Sequence, residues 1–313
     1  MNRKRDVYYW QERSILKNID EEWKEHIVFK IIDKDGYEGS GAATPDENYG
    51  ETFKTAMAVV EGLRKLAENY NDLGFISDFQ QEMDNFVKYD KTAKTAVFLA
   101  ICDYISNKKD IDITKALFPV KSGYSKELLR FYWKKDIDIT PFINKKDFYG
   151  IKVEFLEKPE NDDLINILSS NEDAKFWFDF RGSLNHFELR NIEGILNNYN
   201  NVIALEQPLP VFKEFNLNNI KRKYPIFWDE SLQRVEDILR LKDCGTGFVF
   251  DITKFGGILN IYQALSIAKS YGLETVLSTR LEHPLNVVWS EKIKNSFDVS
   301  DLNISHYIEK TSK

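Results

Sequence analysis

The sequence predicts an α/β protein in which a barrel of parallel strands follows a smaller α+β region. From residue 128 onward, short bulky apolar runs recur about every 20–30 residues, and each precedes a segment with helical periodicity. Three of these runs end in an acid: Asp179 in FWFDF, Glu206 in VIALEQP and Asp229 in IFWDES. This rhythm favours a parallel (β/α) barrel.

Seven strand candidates make up the repeating part of the chain. They are Leu128–Trp133, Gly150–Phe155, Phe176–Phe180, Val202–Glu206, Ile226–Asp229, Phe248–Ile252 and Glu274–Thr279. The alternative is an open doubly wound sheet, which predicts a glycine-rich phosphate loop after its first strand. The sequence contains no such loop at that place, so the barrel is favoured.

The first hundred residues predict a separate α+β unit. VYYWQERSIL is a strand, and EHIVFKIIDKDGYEGSGAAT is a hairpin that turns at Asp35-Gly36. Residues 51–69 and 91–107 have helical periodicity.

Composition narrows the class of protein. The chain has 313 residues, a net charge of −7 and no basic stripe, which argues against nucleic acid or an anionic membrane as a partner. Its longest apolar runs are too short to span a bilayer, and its N-terminus lacks the apolar core of a signal peptide. We expect a soluble cytoplasmic protein in which Cys102 and Cys244 are packing residues.

The three strand-end acids indicate a metal site. Asp179 and Glu206 are separated by 206 − 179 = 27 residues, and Glu206 and Asp229 by 229 − 206 = 23 residues. Each spacing is about one strand-helix unit, so consecutive strands bring the three carboxylates to one rim of the barrel. Hard oxygen ligands without a nearby Cys or His suit Mg²⁺ better than zinc. For a single acid, capping of the following helix is the alternative.

Lys152 is the candidate for acid–base chemistry. It shares one face of the second strand with Glu154, because strand side chains alternate. A lysine beside a divalent cation in a partly dry barrel mouth has a lowered pKa, which suits a general base. A salt bridge to Asp251 or Glu206 is the alternative role for Lys152.

Asp251 lies on the sixth strand candidate, 251 − 229 = 22 residues after Asp229. Three roles stay open for this acid. It can be a catalytic acid or base, an additional metal ligand, or an ion-pair partner of Lys152.

These residues resemble the enolase superfamily, and most closely its dipeptide-epimerase branch. The resemblance covers nearly the whole chain through motifs in the same order and spacing: NYGET at 48–52, TAKTAVFLAICDYI at 92–105, FWFDF, LEQPLP at 205–210, WDESLQR at 228–234, TKFGG at 253–257 and STRLEHPL at 278–285. It implies that Asp179, Glu206 and Asp229 bind one Mg²⁺ ion, which holds a substrate carboxylate and stabilises the enediolate formed when an α-proton leaves. It also implies that Lys152 is the base. The implied fold is a (β/α)₇β TIM-like barrel with an N-terminal α+β capping domain, with the cap at residues 1–115, the barrel at 116–296, and a tail at 297–313 that completes the barrel and packs on the cap.

The chain departs from the family pattern at several positions. The second strand of the family carries Lys-x-Lys, whereas only Lys152 remains here and the first position is Gly150. The catalytic lysine of the sixth strand is replaced by Asp251, and Lys254 matches only the outer lysine. Lys254 lies three residues further on, which is the wrong strand parity unless the strand end curls back. In the eighth-strand Asp-x-Asp, which binds the amino group of a dipeptide in epimerases, Asp298 is the acid retained.

The resemblance implies an isomerase of the racemase/epimerase class that acts on a small carboxylate, with a dipeptide-like substrate as one option. Lys254, Glu282 and Asp298 are the candidate substrate-binding residues, and specificity is expected to depend on cap loops around residues 14–22 and 44–50. A one-base lyase of the o-succinylbenzoate synthase type is an alternative and predicts a large apolar pocket. A catalytically silent homologue that acts as a binding protein is another and predicts that Lys152 is held in a salt bridge. Homo-oligomerisation stays open.

Overall fold

The structure, a computed structural model, describes residues 5–19, 21–70, 75–118, 123–135, 137–143, 145, 147–217 and 222–312. Its strands are β1 (Arg5–Leu16), β2 (Trp23–Asp33), β3 (Glu38–Ala43), β4 (Lys126–Trp133), β5 (Gly150–Phe155), β6 (Phe176–Asp179), β7 (Val202–Glu206), β8 (Ile226–Trp228), β9 (Gly247–Phe250), β10 (Glu274–Ser278), β11 (Val299–Asp301) and β12 (Ile308–Ser312). Strands β4 to β11 close into a parallel barrel, and the other four form an antiparallel sheet in the order β12-β1-β2-β3. The predicted TIM-like barrel with a capping domain is confirmed.

Helices cover the sheet and surround the barrel. They are α1 (Phe53–Asn69), α2 (Ile76–Phe86), α3 (Lys91–Lys109), α4 (Ile113–Leu117), α5 (Thr140–Ile143), α6 (Asn161–Ser170), α7 (His186–Leu196), α8 (Val235–Leu241), α9 (Ile252–Phe255), α10 (Ile258–Ser270) and α11 (Pro284–Ile293). Among the described residues, no helix is both long enough and apolar enough to cross a membrane.

Small residues on β3 bring the cap sheet close to α3. A Cβ atom at Gly39 would lie 2.1 Å from the Ala100 carbonyl oxygen, and one at Gly41 would lie 2.3 Å from that of Ala96. Only glycine permits this approach of strand to helix. The tail joins both parts of the fold, because β11 lies between β10 and β4 in the barrel and β12 pairs with β1 in the cap sheet.

The barrel interior is arranged in layers. The inner apolar layer takes one residue from each of seven barrel strands: Leu128, Trp177, Ala204, Phe227, Val249, Val276 and Val299. Side chains two residues further along a strand point to the same side. A polar layer lies nearer the carboxyl ends of the strands. Each of its members stands two residues after a member of the apolar layer or, on β5, two residues after Gly150: Arg130, Lys152, Asp179, Glu206, Asp229, Asp251, Ser278 and Asp301. The fold therefore gathers ionisable groups at the end of a barrel that is apolar below them.

The sixth barrel strand ends earlier than predicted. β9 stops at Phe250, and Ile252–Phe255 form one helical turn, α9. Asp251 is the N-cap of that turn and accepts hydrogen bonds from the backbone N–H groups of Thr253 and Lys254 at 2.7 and 3.2 Å. Because the chain coils there, strand parity no longer governs the direction of Lys254.

Candidate active site

A polar cavity of about 250 Å³ lies where the cap meets the carboxyl ends of the barrel strands. Sites of chemistry in barrels of this kind lie at that end. Two segments of the cap border the cavity, and they lie within the loops, residues 14–22 and 44–50, on which specificity was predicted to depend. The lining residues discussed below are Glu21, Lys24, Asp46 and Tyr49 from the cap, and Arg130, Lys152, Glu154, Asp179, Arg181, Asp229, Glu230, Asp251 and Arg280 from the barrel.

The three predicted metal ligands come from neighbouring strands. Asp179 and Glu206 are paired residues of β6 and β7, and Asp229 directly follows β8. Glu206 is fully buried, and its Oε2 accepts a hydrogen bond of 2.6 Å from the indole of Trp177. Burial, followed by the charge of Asp179, raises its pKa well above the usual value. A buried carboxylate beside other carboxylates needs a cation to remain ionised.

Gln207 fixes the relative positions of two of these acids. Its backbone has a φ of 36°, in the left-handed region that non-glycine residues seldom adopt. Its side-chain oxygen accepts hydrogen bonds from the backbone N–H groups of Asp229 and Ser231 at 3.0 and 3.1 Å. The turn after β7 is therefore tied to the turn after β8, which holds Glu206 and Asp229 on one rigid frame.

Lys152 lies among three carboxylates. Its Nζ is 2.7 Å from Glu206 Oε1, 3.1 Å from Asp179 Oδ2 and 3.2 Å from Asp301 Oδ2. Burial alone would lower its pKa, but these acids raise it well above the usual value. The salt bridge to Glu206 that the sequence left open is present. The one to Asp251 is not formed within the described residues, where Asp251 pairs with Arg280.

Arg130 completes this buried ion cluster. Its Nε lies 3.1 and 3.2 Å from the two carboxylate oxygens of Asp301, and its Nη2 donates a 2.7 Å hydrogen bond to Ser278. Arg130 and Asp301 are 3% and 0% exposed. Burial alone would raise the pKa of Asp301, but Arg130 and Lys152 lower it overall. The carboxylate of Asp301 is thus fully engaged by partners within the barrel.

We expect Arg130→Met to lower the free energy of unfolding by about 3–5 kcal/mol, because removing one partner of a buried ion pair leaves the other uncompensated. In the native protein this stabilisation is present above the unfolded pKa of Asp301 and is lost as pH falls through its lowered folded pKa. In the variant, Asp301 protonates at a higher pH, so the difference from the native protein should shrink in acid. Urea unfolding across neutral to acidic pH measures this.

The matched control is the double variant Arg130→Met/Asp301→Asn. It should recover part of the lost stability, because the stranded charge is gone. Additive losses from the two substitutions would contradict the proposed ion pair.

Glu154 and Arg181 form the next layer toward the mouth. Glu154 Oε1 is 3.6 Å from Arg181 Nε, and its Oε2 is 3.8 Å from Arg130 Nε. Burial and the nearby Asp179 raise the pKa of Glu154. Arg181 has a φ of 49°, and its backbone N–H donates a 3.0 Å hydrogen bond to Asp179. This left-handed turn directs its side chain into the cavity.

Asp251 and Arg280 form the opposite wall. Arg280 Nε donates a 2.9 Å hydrogen bond to Asp251 Oδ2, and its Nη1 lies 3.5 Å from Asp46 of the cap. The guanidinium also lies 4.3 Å from the ring centre of Tyr49, a cation–π contact. Asp251 is therefore an ion-pair partner, as one of the sequence alternatives allowed, but of Arg280 rather than Lys152.

Two predicted substrate-binding residues lie outside the cavity lining. Lys254 curls back through α9, and its Nζ donates to the carboxylate of Asp229, to the Asp229 carbonyl at 2.9 Å and to the Val249 carbonyl at 2.8 Å. Glu282 is 2% exposed and accepts a 3.0 Å hydrogen bond from Asn286. Burial, followed by the charge of Asp251, raises its pKa to about 8. These residues lie behind the cavity wall, and substrate binding by them stays a prediction.

Asp298 is also misplaced by the sequence prediction. It lies at the amino end of the last barrel strand, where its carboxylate accepts hydrogen bonds of 2.9 and 2.8 Å from the backbone N–H and hydroxyl of Thr275. The acid that reaches the mouth end of β11 is Asp301, three residues later and on the inward side. Glu230 is another residue missed from sequence. It lines the cavity beside Asp229, and its Oε2 has no hydrogen-bond partner among the described residues.

The donor set fits a hard divalent cation in its chemistry. Asp179, Glu206 and Asp229 supply carboxylate oxygens alone, which Mg²⁺ prefers. Among the described residues, however, no three acidic, histidine or cysteine side chains already have the arrangement of a metal site. Instead, ammonium groups lie against the same oxygens, that of Lys152 on Glu206 and Asp179 and that of Lys254 on Asp229.

Comparisons with known proteins give the family context of this site. No family model matches the chain. The L-Ala-D/L-amino acid epimerase of Pedosphaera parvula is 22% identical over 295 residues, which cover 88% of this chain and 80% of that protein. The L-Ala-D/L-Glu epimerase of Bacteroides thetaiotaomicron is 22% identical over 288 residues, which cover 87% and 71%. The chain is a distant homologue of these dipeptide epimerases.

The fold of this enolase-superfamily homologue matches solved structures over almost its full length. The dipeptide epimerase from Enterococcus faecalis, solved with Mg and the dipeptide L-Leu-L-Tyr, superimposes with a TM-score of 0.84 at 17% identity over 98% of this chain and 92% of that one. At that identity the likeness establishes the fold.

The three arginines around the mouth, Arg130, Arg181 and Arg280, were not assigned from sequence. Each stands two residues after an inward-facing position, a signal that alternation alone could have supplied.

Proposed function

We propose that the chain is a Mg²⁺-dependent isomerase of the racemase/epimerase class that removes the α-proton of a small carboxylate substrate. The observation that carries this proposal is the position of Lys152 within hydrogen-bonding or ion-pairing distance of Asp179 and Glu206 at one rim of the barrel. Lys152, Asp179 and Asp229 line one cavity, and the fully buried Glu206 contacts Lys152 from behind that lining. The homology to dipeptide epimerases supports the reaction class.

We propose that Asp179, Glu206 and Asp229 hold the cation. Bound there, Mg²⁺ would neutralise the acids that now raise the pKa of Lys152 and would polarise the carboxylate of the substrate. The Mg-bound structure of the Enterococcus faecalis epimerase supports the choice of metal. Glu230, beside Asp229, adds a further acid to this end of the cavity.

Lys152 would transfer the proton on one face of the substrate. It projects from β5, the second strand of the barrel order, whereas Asp251 follows β9, the sixth. These strands are diametrically opposed in an eight-stranded barrel, so the two side chains approach the cavity from opposite sides. Inversion of a stereocentre needs a proton donor on the second face. Asp251 is the candidate there, but it is held by Arg280 and two backbone N–H groups.

The test is incubation of the protein in D₂O with Mg²⁺ and pooled dipeptides, N-acyl amino acids and hydroxy acids. Mass spectrometry then measures deuterium at the α-carbon. The proposal requires incorporation that depends on Mg²⁺ and disappears with a chelator. Absence of incorporation across the whole panel would contradict it.

We expect α-deuteration with retained configuration to exceed inversion by at least about tenfold. A positioned acid or base contributes about 10²–10⁴-fold, and Asp251, the candidate acid on the second face, is held by the guanidinium of Arg280, whereas Lys152 has no guanidinium partner among the residues that the structure describes. Chiral chromatography coupled to mass spectrometry separates the two products in the same sample. Equal rates of exchange and inversion would mean that the Asp251 side of the cavity supplies an effective acid.

Binding without turnover is a second candidate function, and one observation favours it. The three ion pairs of Lys152 are the feature that the silent-homologue alternative predicts. The lyase alternative is less favoured, because it predicts a large apolar pocket and the cavity is lined mainly by charged groups. A substrate analogue that binds but is never deuterated would distinguish the silent protein from the enzyme.

A further inference from the structure

Four of the carboxylates that line the cavity, those of Glu154, Asp251, Asp46 and Glu21, already have cationic partners within the protein. Glu154 lies between the guanidinium groups of Arg181 and Arg130, at 3.6 and 3.8 Å. Asp251 is bound by Arg280 at 2.9 Å, and the same arginine lies 3.5 Å from Asp46. At the lip, Glu21 pairs with Lys24 at 3.5 Å. An ammonium group entering this space would have to compete with an internal cation for each of these acids.

Besides Oε2 of Glu230, which lies beside Asp229, the cavity presents a donor with unused hydrogen-bonding capacity, the Arg181 guanidinium. Arg181 is the most accessible of the three arginines, with 32% of its side chain exposed, against 17% for Arg280 and 3% for Arg130. Its guanidinium makes no hydrogen bond to any described residue, and the one ion pair it forms among them, with Glu154, is long at 3.6 Å. A guanidinium has five N–H donors and no acceptor. It therefore attracts carbonyl or acid oxygens and repels a second cation.

We propose, building on the proposed function, that the substrate is an N-acyl amino acid, without a free amino group, rather than a dipeptide with a charged N-terminus. The acyl carbonyl would accept hydrogen bonds from Arg181, and the α-carboxylate would be held by the cation that Asp179 and Asp229 are proposed to bind. The structure supports this in a second way. Asp301, the acid at the mouth end of the last barrel strand, is buried under Arg130 and Lys152 and offers no oxygen to an ammonium group.

The sharpest test compares L-alanyl-L-glutamate with N-propionyl-L-glutamate, two molecules that differ only by the ammonium group. Isothermal titration calorimetry on the Mg²⁺-supplemented protein measures both affinities without requiring turnover. We expect the propionyl compound to bind at least about tenfold more tightly. Equal or tighter binding of the dipeptide would overturn the proposal, as would failure of both compounds to bind at millimolar concentration.

Two variants locate the effect. Arg181→Met should weaken binding of N-propionyl-L-glutamate and reduce the preference to about threefold or less, whereas the control Arg190→Met, on the exposed face of α7, should leave it unchanged. If the preference persists in Arg181→Met, Arg181 does not set it and the proposal fails. Glu230 is the remaining acid that an ammonium group could reach. Dipeptide binding that is lost in Glu230→Gln would also overturn the proposal.

The same samples separate this inference from the proposed function. Tight binding of N-propionyl-L-glutamate without α-deuteration in D₂O would contradict the enzymatic proposal and leave the specificity proposal standing. Deuteration of the dipeptide in preference to the propionyl compound would contradict the specificity proposal and leave the enzymatic proposal standing.

Discussion

Replacing Lys152 with methionine is expected to lower the rate of Mg²⁺-dependent α-deuteration by about 100- to 10,000-fold, the usual contribution of a positioned acid or base. Methionine retains much of the side-chain volume but cannot carry a proton. The Lys152 ammonium group pairs with both Asp179 and Glu206, and no other lysine pairs with Glu206 among the described residues. The measurement is the initial rate of deuterium incorporation into the substrate found in the panel.

Two variants make this result specific. Lys158→Met removes an exposed lysine that pairs with Glu188 on the barrel exterior and should leave the rate unchanged. Glu154→Gln removes the other inward-facing ionisable group of β5. Full exchange in Lys152→Met together with loss in Glu154→Gln would move the catalytic role to Glu154 and refute the assignment of Lys152.

Glu206→Gln is expected to reduce the affinity for Mg²⁺ by at least about 100-fold, since loss of an outer hydrogen-bonding partner alone can cost 10–100-fold. Glu206 is the central member of the three acids, between β6 and β8, and it is fully buried. A glutamine keeps the shape and can still accept the Trp177 hydrogen bond through its oxygen, but it lacks the negative charge. Calorimetric titration with Mg²⁺ measures the change, with substrate omitted.

The exposed Glu172, in the loop before β6, provides a matched control for loss of one carboxylate. Glu172→Gln should bind Mg²⁺ as the native protein does. Native-like affinity in Glu206→Gln would exclude the three-acid site. A stoichiometry above one ion per chain would point to an additional cation held elsewhere.

Much of the barrel could be predicted because its signals are local. Gly150–Phe155 and Val202–Glu206 are strands with the predicted bounds, since a short bulky run between turn residues has few other buried conformations. Asp179, Glu206 and Asp229 lie at one rim as expected, because parallel strands of one barrel end on the same side.

The prediction failed where the chain leaves the strand. Asp251 was expected on the sixth strand, but its side chain caps the first turn of α9, and this local hydrogen bonding stops β9 at Phe250. Asp298 was chosen over Asp301 by motif similarity, whereas the two-residue step from the apolar layer residue Val299 selects Asp301. Alternation was the more reliable guide on that strand.

The ion pairs could not have been read from sequence. Arg130 and Asp301 are 171 residues apart, and Arg280 and Asp251 are 29 apart. Their partnerships depend on which strands the closed barrel places side by side and on side-chain length. These pairs determine which acids stay available to a ligand. The class of substrate therefore depends on the folded arrangement and cannot be predicted from motif similarity alone.

A crystal structure of the protein grown with Mg²⁺ tests the central claim most directly. The account predicts one ion in contact with oxygens of Asp179, Glu206 and Asp229, with the Lys152 ammonium group displaced from between the first two but still facing the cavity. Strong density for Mg²⁺ at a different site, or a Lys152 that keeps its ion pairs while no ion binds the three acids at saturating Mg²⁺, would contradict it.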